Sequence, residues 1–215
     1  MKELFIKKIG VNKSVDIEEA AHLLETKTVT NSIDIINWEE FSYKPDLKFR
    51  IGHTGKEIWL KYYVKENHIL AREVNVNGAV HKDSCAEFFI SVDGKNYYNL
   101  EINCIGTIHL AHGPGRGDRK FVNPKIIKKI HVKSTLGNKP FEERSGNFEW
   151  EMMIRFPATC FAFDNIESLN GLKATANFYK CGDDTTKPHF VTWNPVGTEN
   201  PDYHRPEFFG KVEFE

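Results

Sequence analysis

The chain has 215 residues, 40% hydrophobic and 27% charged, which is enough to bury a core without disulfide or metal staples. A formal net charge of −1 supplies no basic field for a phosphate backbone, which argues against nucleic-acid binding. "MKELFIKKIG" lacks the apolar run of a secretory signal and no segment has the apolar length of a membrane span, so the chain as it stands reads as cytoplasmic with no membrane partner, its compartment left open.

Taken in chain order, the first periodic segment is "SVDIEEAAHLLET", Ser14 to Thr26. Ser14 or Asp16 can cap it, and Ile17, Ala20, Ala21 and Leu24 recur at helical spacing, which predicts one short N-terminal helix. Almost everything after it alternates with period two. "EIWLKYYVK" sets Ile58, Leu60, Tyr62 and Val64 on one side, and "AEFFISVD" does the same with Ala86, Phe88 and Ile90. "YYNLEINCIG" separates Tyr98, Leu100, Ile102 and Cys104 from Tyr97, Asn99, Glu101 and Asn103, while "FEWEMMIRFP", "LKATANFYKC" and the terminal "GKVEFE" behave alike. Strands split by turn residues, with no helices between them, predict an all-β fold: an antiparallel β-sandwich or jelly roll. No repeat or linker marks a boundary, so residues 1–215 are expected to form one domain.

The faces turned away from the apolar side are unusual. They carry Glu87 and Phe89, then Asn99 and Glu101, then Asn177 and Tyr179, where a face without a task tends toward Lys, Glu, Thr and Ser. Amides, carboxylates and phenols suit a concave face that hydrogen-bonds a polyhydroxylated ligand. The same groups also suit simple pairing across strands.

The four cysteines are far apart and form no C-x-x-C pair, so they are expected as free thiols, and neither a metal site nor a cofactor is predicted. His109 and His112 in "HLAHGPGRGDR" sit at the end of a strand that runs into a glycine loop and lack the helix that would hold a metal-binding pair, so a solvated loop is the expected account. Its Arg-Gly-Asp at 116 to 118 reads as coincidence. No G-x-S-x-G is present, so no hydrolase elbow is expected and no catalytic residue is assigned. The tail "HFVTWNPVGTENPDYHRPEFFG" holds Trp193, Tyr203 and His204 on segments stiffened by Pro195, Pro201 and Pro206, which lowers the entropy lost when rings are held for stacking. Phe208 and Phe209 are expected to plug the end of the sandwich.

"KDSCAEFFISVDGKNYYNLEINCIGTIHLAHG", "WEMMIRFP", "NFYKCGDDTTKPHFVTW" and "HRPEFFGKVEFE" resemble, in that order, the family 9 carbohydrate-binding modules, and among them a bacterial branch that consists of this domain alone. The likeness runs from about residue 30 to the end. It implies a β-sandwich that grips a mono- or oligosaccharide between two aromatic rings. Position by position, the resemblance puts the ring pair on His81 and Tyr203 and the polar contacts on Glu87, Asn99 and Glu101. Better-known members carry Trp at both stacking positions and a basic residue where Asn99 stands, so a His–Tyr clamp offers less stacking surface. Together with the facing pattern, the candidate ligand-binding set is His81, Glu87, Asn99, Glu101, Asn177, Tyr179, Lys180, Trp193, Tyr203 and His204. Some relatives carry structural calcium, but no D-x-[DN]-x-[DN]-G loop occurs here.

The expected function is therefore non-catalytic carbohydrate binding, with a separately encoded glycoside hydrolase as a candidate partner. Two alternatives stay open: a glycosidase or sugar-modifying enzyme using Glu87 and Glu101, and a partner-binding scaffold whose sugar site has decayed. The compartment stays open as well, because sugar capture would suit the outside of the cell.

Overall fold

The computed structural model describes residues 1–11 and 14–215. In chain order its strands are β1 (Glu3–Lys8), β2 (Asn31–Ile33), β3 (Ile35–Ile36), β4 (Asp46–His53), β5 (Glu57–Ala71), β6 (Cys85–Ser91), β7 (Tyr97–Asn103), β8 (Ile108–Gly113), β9 (Lys120–Phe121), β10 (His131–Ser134), β11 (Phe141–Pro157), β12 (Lys173–Cys181), β13 (Phe190–Thr192) and β14 (Gly210–Phe214). Among the described residues two α-helices accompany them, α1 (Ile17–Lys27) and the single turn α2 (Pro124–Ile127), together with short 3-10 turns.

Hydrogen bonding links the strands in the order β10-β11-β5-β4-β1-β14-β12-β6-β7-β8-β9, with β13 and β3 attached beside β12. The turn in this path is β1. Its residues Glu3 to Ile6 pair in parallel with β14, and Lys7 and Lys8 pair in parallel with β4. The strand thus passes from one layer to the other, and these two pairings are the parallel exceptions among the described strands. The layers close face to face as a β-sandwich: Phe178 of β12 stacks on Phe49 of β4 with centroids 4.0 Å apart and on Phe88 of β6 at 4.9 Å. Tyr62 on β5 donates its hydroxyl across the gap to the Glu87 carbonyl at 2.8 Å.

Periodicity accounts for this packing. Ile58, Leu60, Tyr62 and Val64 meet Ala86, Phe88, Ile90, Tyr98, Leu100 and Ile102 in one core, as period-two alternation requires when one side of each strand is buried. Helix α1 starts where Asp16 accepts the Glu19 amide at 2.8 Å, a capping contact worth about 1 kcal/mol. Its buried Ala20 and Leu24 cover Trp59 and Met153 on the outside of β5 and β11.

The other side of β6, β7 and β12 differs from the sequence expectation of an open concave face. Phe89, Tyr97 and Tyr179 are fully buried there under Trp38, Val196, Tyr203 and Phe209, forming a second aromatic cluster. The cover is the chain from 194 to 209. Asn177 ties it down, accepting the Asn194 amide at 2.8 Å and donating to the Asn194 carbonyl at 3.0 Å. A sheet this central has water on neither face, so its polar residues need partners inside the protein.

Candidate functional site

One end of that covered face stays open. The register aligns Tyr179 with Glu87, Glu87 with Glu101, and Glu101 with His109, one residue from each of β12, β6, β7 and β8. Glu87, Glu101 and His109 of this transverse row form the floor of a cavity of about 180 Å³. His81, on the turn before β6, and Tyr203 and His204, on the covering chain, stand around it, together with Arg116, Arg119, Asp183 and Asp202.

The glycine segment after β8 supplies the arginines. A Cβ on Gly113 would lie 2.6 Å from the Asp118 carbonyl oxygen, so glycine is what lets residues 114–119 fold back over β8. Arg119 then donates Nε–H to the Arg116 carbonyl at 3.1 Å, and Arg116 pairs with Asp202 at 2.9 Å.

Glu101 is the electrostatic centre. Its Oε1 accepts from Asn99 at 2.7 Å, and His81 and Arg119 lie 3.7 Å and 3.8 Å from its oxygens. Burial by itself pushes the Glu101 carboxyl up, but the contact with His81 and the positive surroundings hold it below the usual carboxylate range. The same contact raises His81. Glu87 goes the other way: burial lifts its carboxyl well above the usual range, and the Glu101 charge adds to the lift. Burial pushes Asp183 up to about 6 and, with Arg119 nearby, lowers His204 to about 3. His204 is thus neutral at physiological pH, with Nδ1 2.9 Å from the Tyr97 hydroxyl.

Three buried polar atoms in this wall lack a hydrogen-bond partner: Arg119 Nη1, His109 Nε2 and Asp183 Oδ1. His109 Nδ1 lies 3.1 Å from the Gly78 carbonyl, so Nδ1 carries a proton, and Nε2 faces the wall without a hydrogen-bond partner. Each such buried atom costs about 1–3 kcal/mol while unpaired, so the wall favours a ligand that brings both donors and acceptors. A larger open groove of about 670 Å³ lies outside β4, β5 and β11. Its charges already pair with one another, Lys61 with Glu25 and Glu151 at 2.7 Å and Lys65 with Glu149 at 2.8 Å. The smaller cavity is the better candidate.

Of the residues singled out from sequence, the cavity brings together His81, Glu87, Glu101, Tyr203 and His204. Asn99 and Tyr179 stand behind them: Asn99 holds Glu101, and Tyr179 stacks on Tyr203 with centroids 4.0 Å apart. Asn177 serves the covering chain instead. Lys180 and Trp193 lie on the core side, contrary to the sequence expectation. Lys180 shares the parity of Phe178 and is fully buried between the layers, 2.8 Å from both Glu66 and His189. Trp193 follows the pair Tyr179–Thr192, so it sits opposite Phe178; its amide bonds the Phe178 carbonyl at 2.9 Å and its ring meets Phe178 edge-on at 5.5 Å. His109 and His112 lie in strand β8, which runs into the glycine segment as expected, but they are not solvated: His109 is buried, and their odd spacing sends it to the cavity and His112 to the opposite side, beside Tyr98 and Asp164. Sequence reasoning missed Arg116, Arg119, His109, Asp183 and Asp202. For the arginines a signal existed in the glycines flanking them, which permit a fold-back as well as a free loop.

The model of carbohydrate-binding family 9 matches residues 18–214. The chain belongs to that family. The matched span begins earlier than the expected residue 30 and takes in α1. Among solved structures, this family 9 protein superposes on a candidate carbohydrate-binding protein from Bacteroides uniformis ATCC 8492 with a TM-score of 0.96 and 39% identity, over 100% of this chain and 99% of the other. It is similar to a family 9 module from Caldicellulosiruptor kristjanssonii in complex with glucose, with a TM-score of 0.62 and 12% identity over 100% and 96% of the two chains. The cellotriose complex of a module from the same organism gives 0.59 and 10% over 100% and 94%. At such identities the two modules speak to the fold alone. No curated protein matches the chain.

Proposed function

We propose that the protein binds carbohydrate without transforming it, taking one sugar ring into the cavity floored by Glu87, Glu101 and His109. The observation that carries this reading is the convergence of unpartnered, buried Arg119 Nη1, His109 Nε2 and Asp183 Oδ1 on a space of about 180 Å³. A neutral polyol supplies a donor or acceptor at every carbon, and so can pair all three. Glu101, ionised and held by Asn99, accepts a hydroxyl. Tyr203, backed by Tyr179, presents an aromatic wall opposite His81. Family membership and the glucose and cellotriose held by the Caldicellulosiruptor modules support a sugar as the ligand.

Calorimetric titration with glucose, galactose, mannose, cellobiose, xylobiose and cellotriose tests it. Saturable heat with at least one sugar is expected. Silence from folded protein across the panel overturns the reading.

A second reading, glycoside cleavage, has one observation in its favour. Glu87 and Glu101 are cross-strand partners whose environments push their carboxyls in opposite directions, which is the pattern of an acid and base pair. It predicts turnover of chromogenic glycosides, lost in Glu87→Gln. No product at high protein concentration would eliminate it.

A further inference from the structure

At the edge of the cavity floor, Glu87 also belongs to a second donor set, with two cysteines that the sugar reading leaves unused. Cys85 of β6 and Cys181 of β12 are direct cross-strand partners, and Glu87 follows Cys85 by two residues on the same face. The two Sγ atoms and one Glu87 oxygen lie within 4.8 Å of one another, and all three side chains are buried. Cys181 Sγ is 3.0 Å from Glu87 Oε1, so the buried carboxyl meets a thiol rather than a cationic side chain.

Zinc takes thiolate sulfur at about 2.3 Å and carboxylate oxygen at about 2.0–2.2 Å, which places tetrahedral ligand atoms roughly 3.5–3.8 Å apart. Cys181 Sγ and Glu87 Oε1, 3.0 Å apart, need to open by roughly half an ångström, and the pairs with Cys85 Sγ, all within 4.8 Å, to close by at most about 1 Å, to reach that spacing. Two sulfurs and one oxygen suit a borderline-soft divalent ion and exclude the all-oxygen shells of calcium and magnesium.

We propose that Cys85, Cys181 and Glu87 bind a thiophilic divalent cation such as zinc, with its fourth coordination position open to the cavity that Cys181 and Glu87 line. Binding releases the two thiol protons, and the carboxyl proton wherever Glu87 carries one, to solvent in exchange for the metal. The remaining excess negative charge faces Arg116, Arg119 and His81 across the same cavity. Register alone creates the set, since the two cysteines are 96 positions apart in the sequence (181 − 85 = 96) and no spacing motif announces them.

Co²⁺ is the probe. Chelator-stripped, reduced protein titrated with Co²⁺ is expected to bind one ion per chain with tetrahedral visible absorption and a thiolate-to-cobalt charge-transfer band, both discharged by Zn²⁺. Cys85→Ser and Cys181→Ser lose the band. Glu87→Gln weakens Co²⁺ at least tenfold, and Cys160→Ser, distant from the cluster, leaves it unchanged. Circular dichroism confirms that each variant is folded. The proposal fails if reduced, folded protein shows no charge-transfer band, or if the band survives in the Cys85→Ser/Cys181→Ser double variant. It fails too if thiol assay shows a Cys85–Cys181 disulfide whose reduction still yields no Co²⁺ binding. The metal titration contains no sugar, and the sugar titration of chelated protein is read separately, so either idea can fail alone.

Discussion

The two faces of the β12-β6-β7-β8 half-sheet are both buried, and they are buried by opposite chemistry. On one, Phe178 is stacked between Phe49 and Phe88 and needs no polar partner. On the other, rows of Tyr, Glu, Asn and His hydrogen-bond one another and the chain from 194 to 209, while at and just behind the cavity Arg119 Nη1, His109 Nε2, Asp183 Oδ1 and Asn99 Oδ1 have no hydrogen-bond partner. The contrast shows that alternation sorts residues into faces but does not say which face is wet. A polar face can instead be an interior one, covered by the chain itself.

The comparison can be tested from its strongest contrast downward. Phe178→Ala removes the ring between two stacked partners and should cost about 3–5 kcal/mol of stability in urea unfolding. Lys180→Met strands Glu66 and should cost about 3 kcal/mol while leaving sugar affinity unchanged, because Lys180 belongs to the core face. A cavity role for Lys180 would show instead as lost binding with stability intact. Glu101→Gln should weaken sugar binding about 10–100-fold, or about 1.4–2.8 kcal/mol, read by calorimetry. Trp193→Phe should lower stability by about 1–2 kcal/mol through poorer packing against Phe178 and Gly210, with affinity within about twofold of the parent. The smallest effect concerns pH. Burial raises Asp202, but the Arg116 hydrogen bond and the His204 amide pull it below its ordinary value. A depressed folded pKa stabilises above the unfolded value near about 4 and is lost as pH falls through the folded one. Asp202→Asn should therefore trim stability by less than about 1 kcal/mol at neutral pH and leave acid stability unaffected, since the pair is partly exposed.

Much of the fold was legible because burial writes itself into period two. The apolar residues of β5, β6 and β7 are those that meet in the core, and Asp16 marks the helix start. β1 was not legible: "ELFIKK" is short and charged, and its pairing with both β14 and β4 is decided by tertiary context. In the site, Glu87, Asn99 and Glu101 were readable from facing, and His81 and Tyr203 from family likeness. Lys180 and Trp193 were drawn toward the site by residue type although parity places them in the core. Arg116 and Arg119 were hidden because a glycine loop carries no record of where it folds, and Cys85 with Cys181 because register is not local.

The most direct measurement is a parallel calorimetric titration of the parent, Glu101→Gln and Trp193→Phe with the best-binding sugar of the panel. Saturable one-to-one heat from the parent and Trp193→Phe, with at least tenfold weaker binding by a folded Glu101→Gln, is the predicted result. Equal binding by Glu101→Gln, or binding lost only in Trp193→Phe, would contradict the placement of the sugar in this cavity.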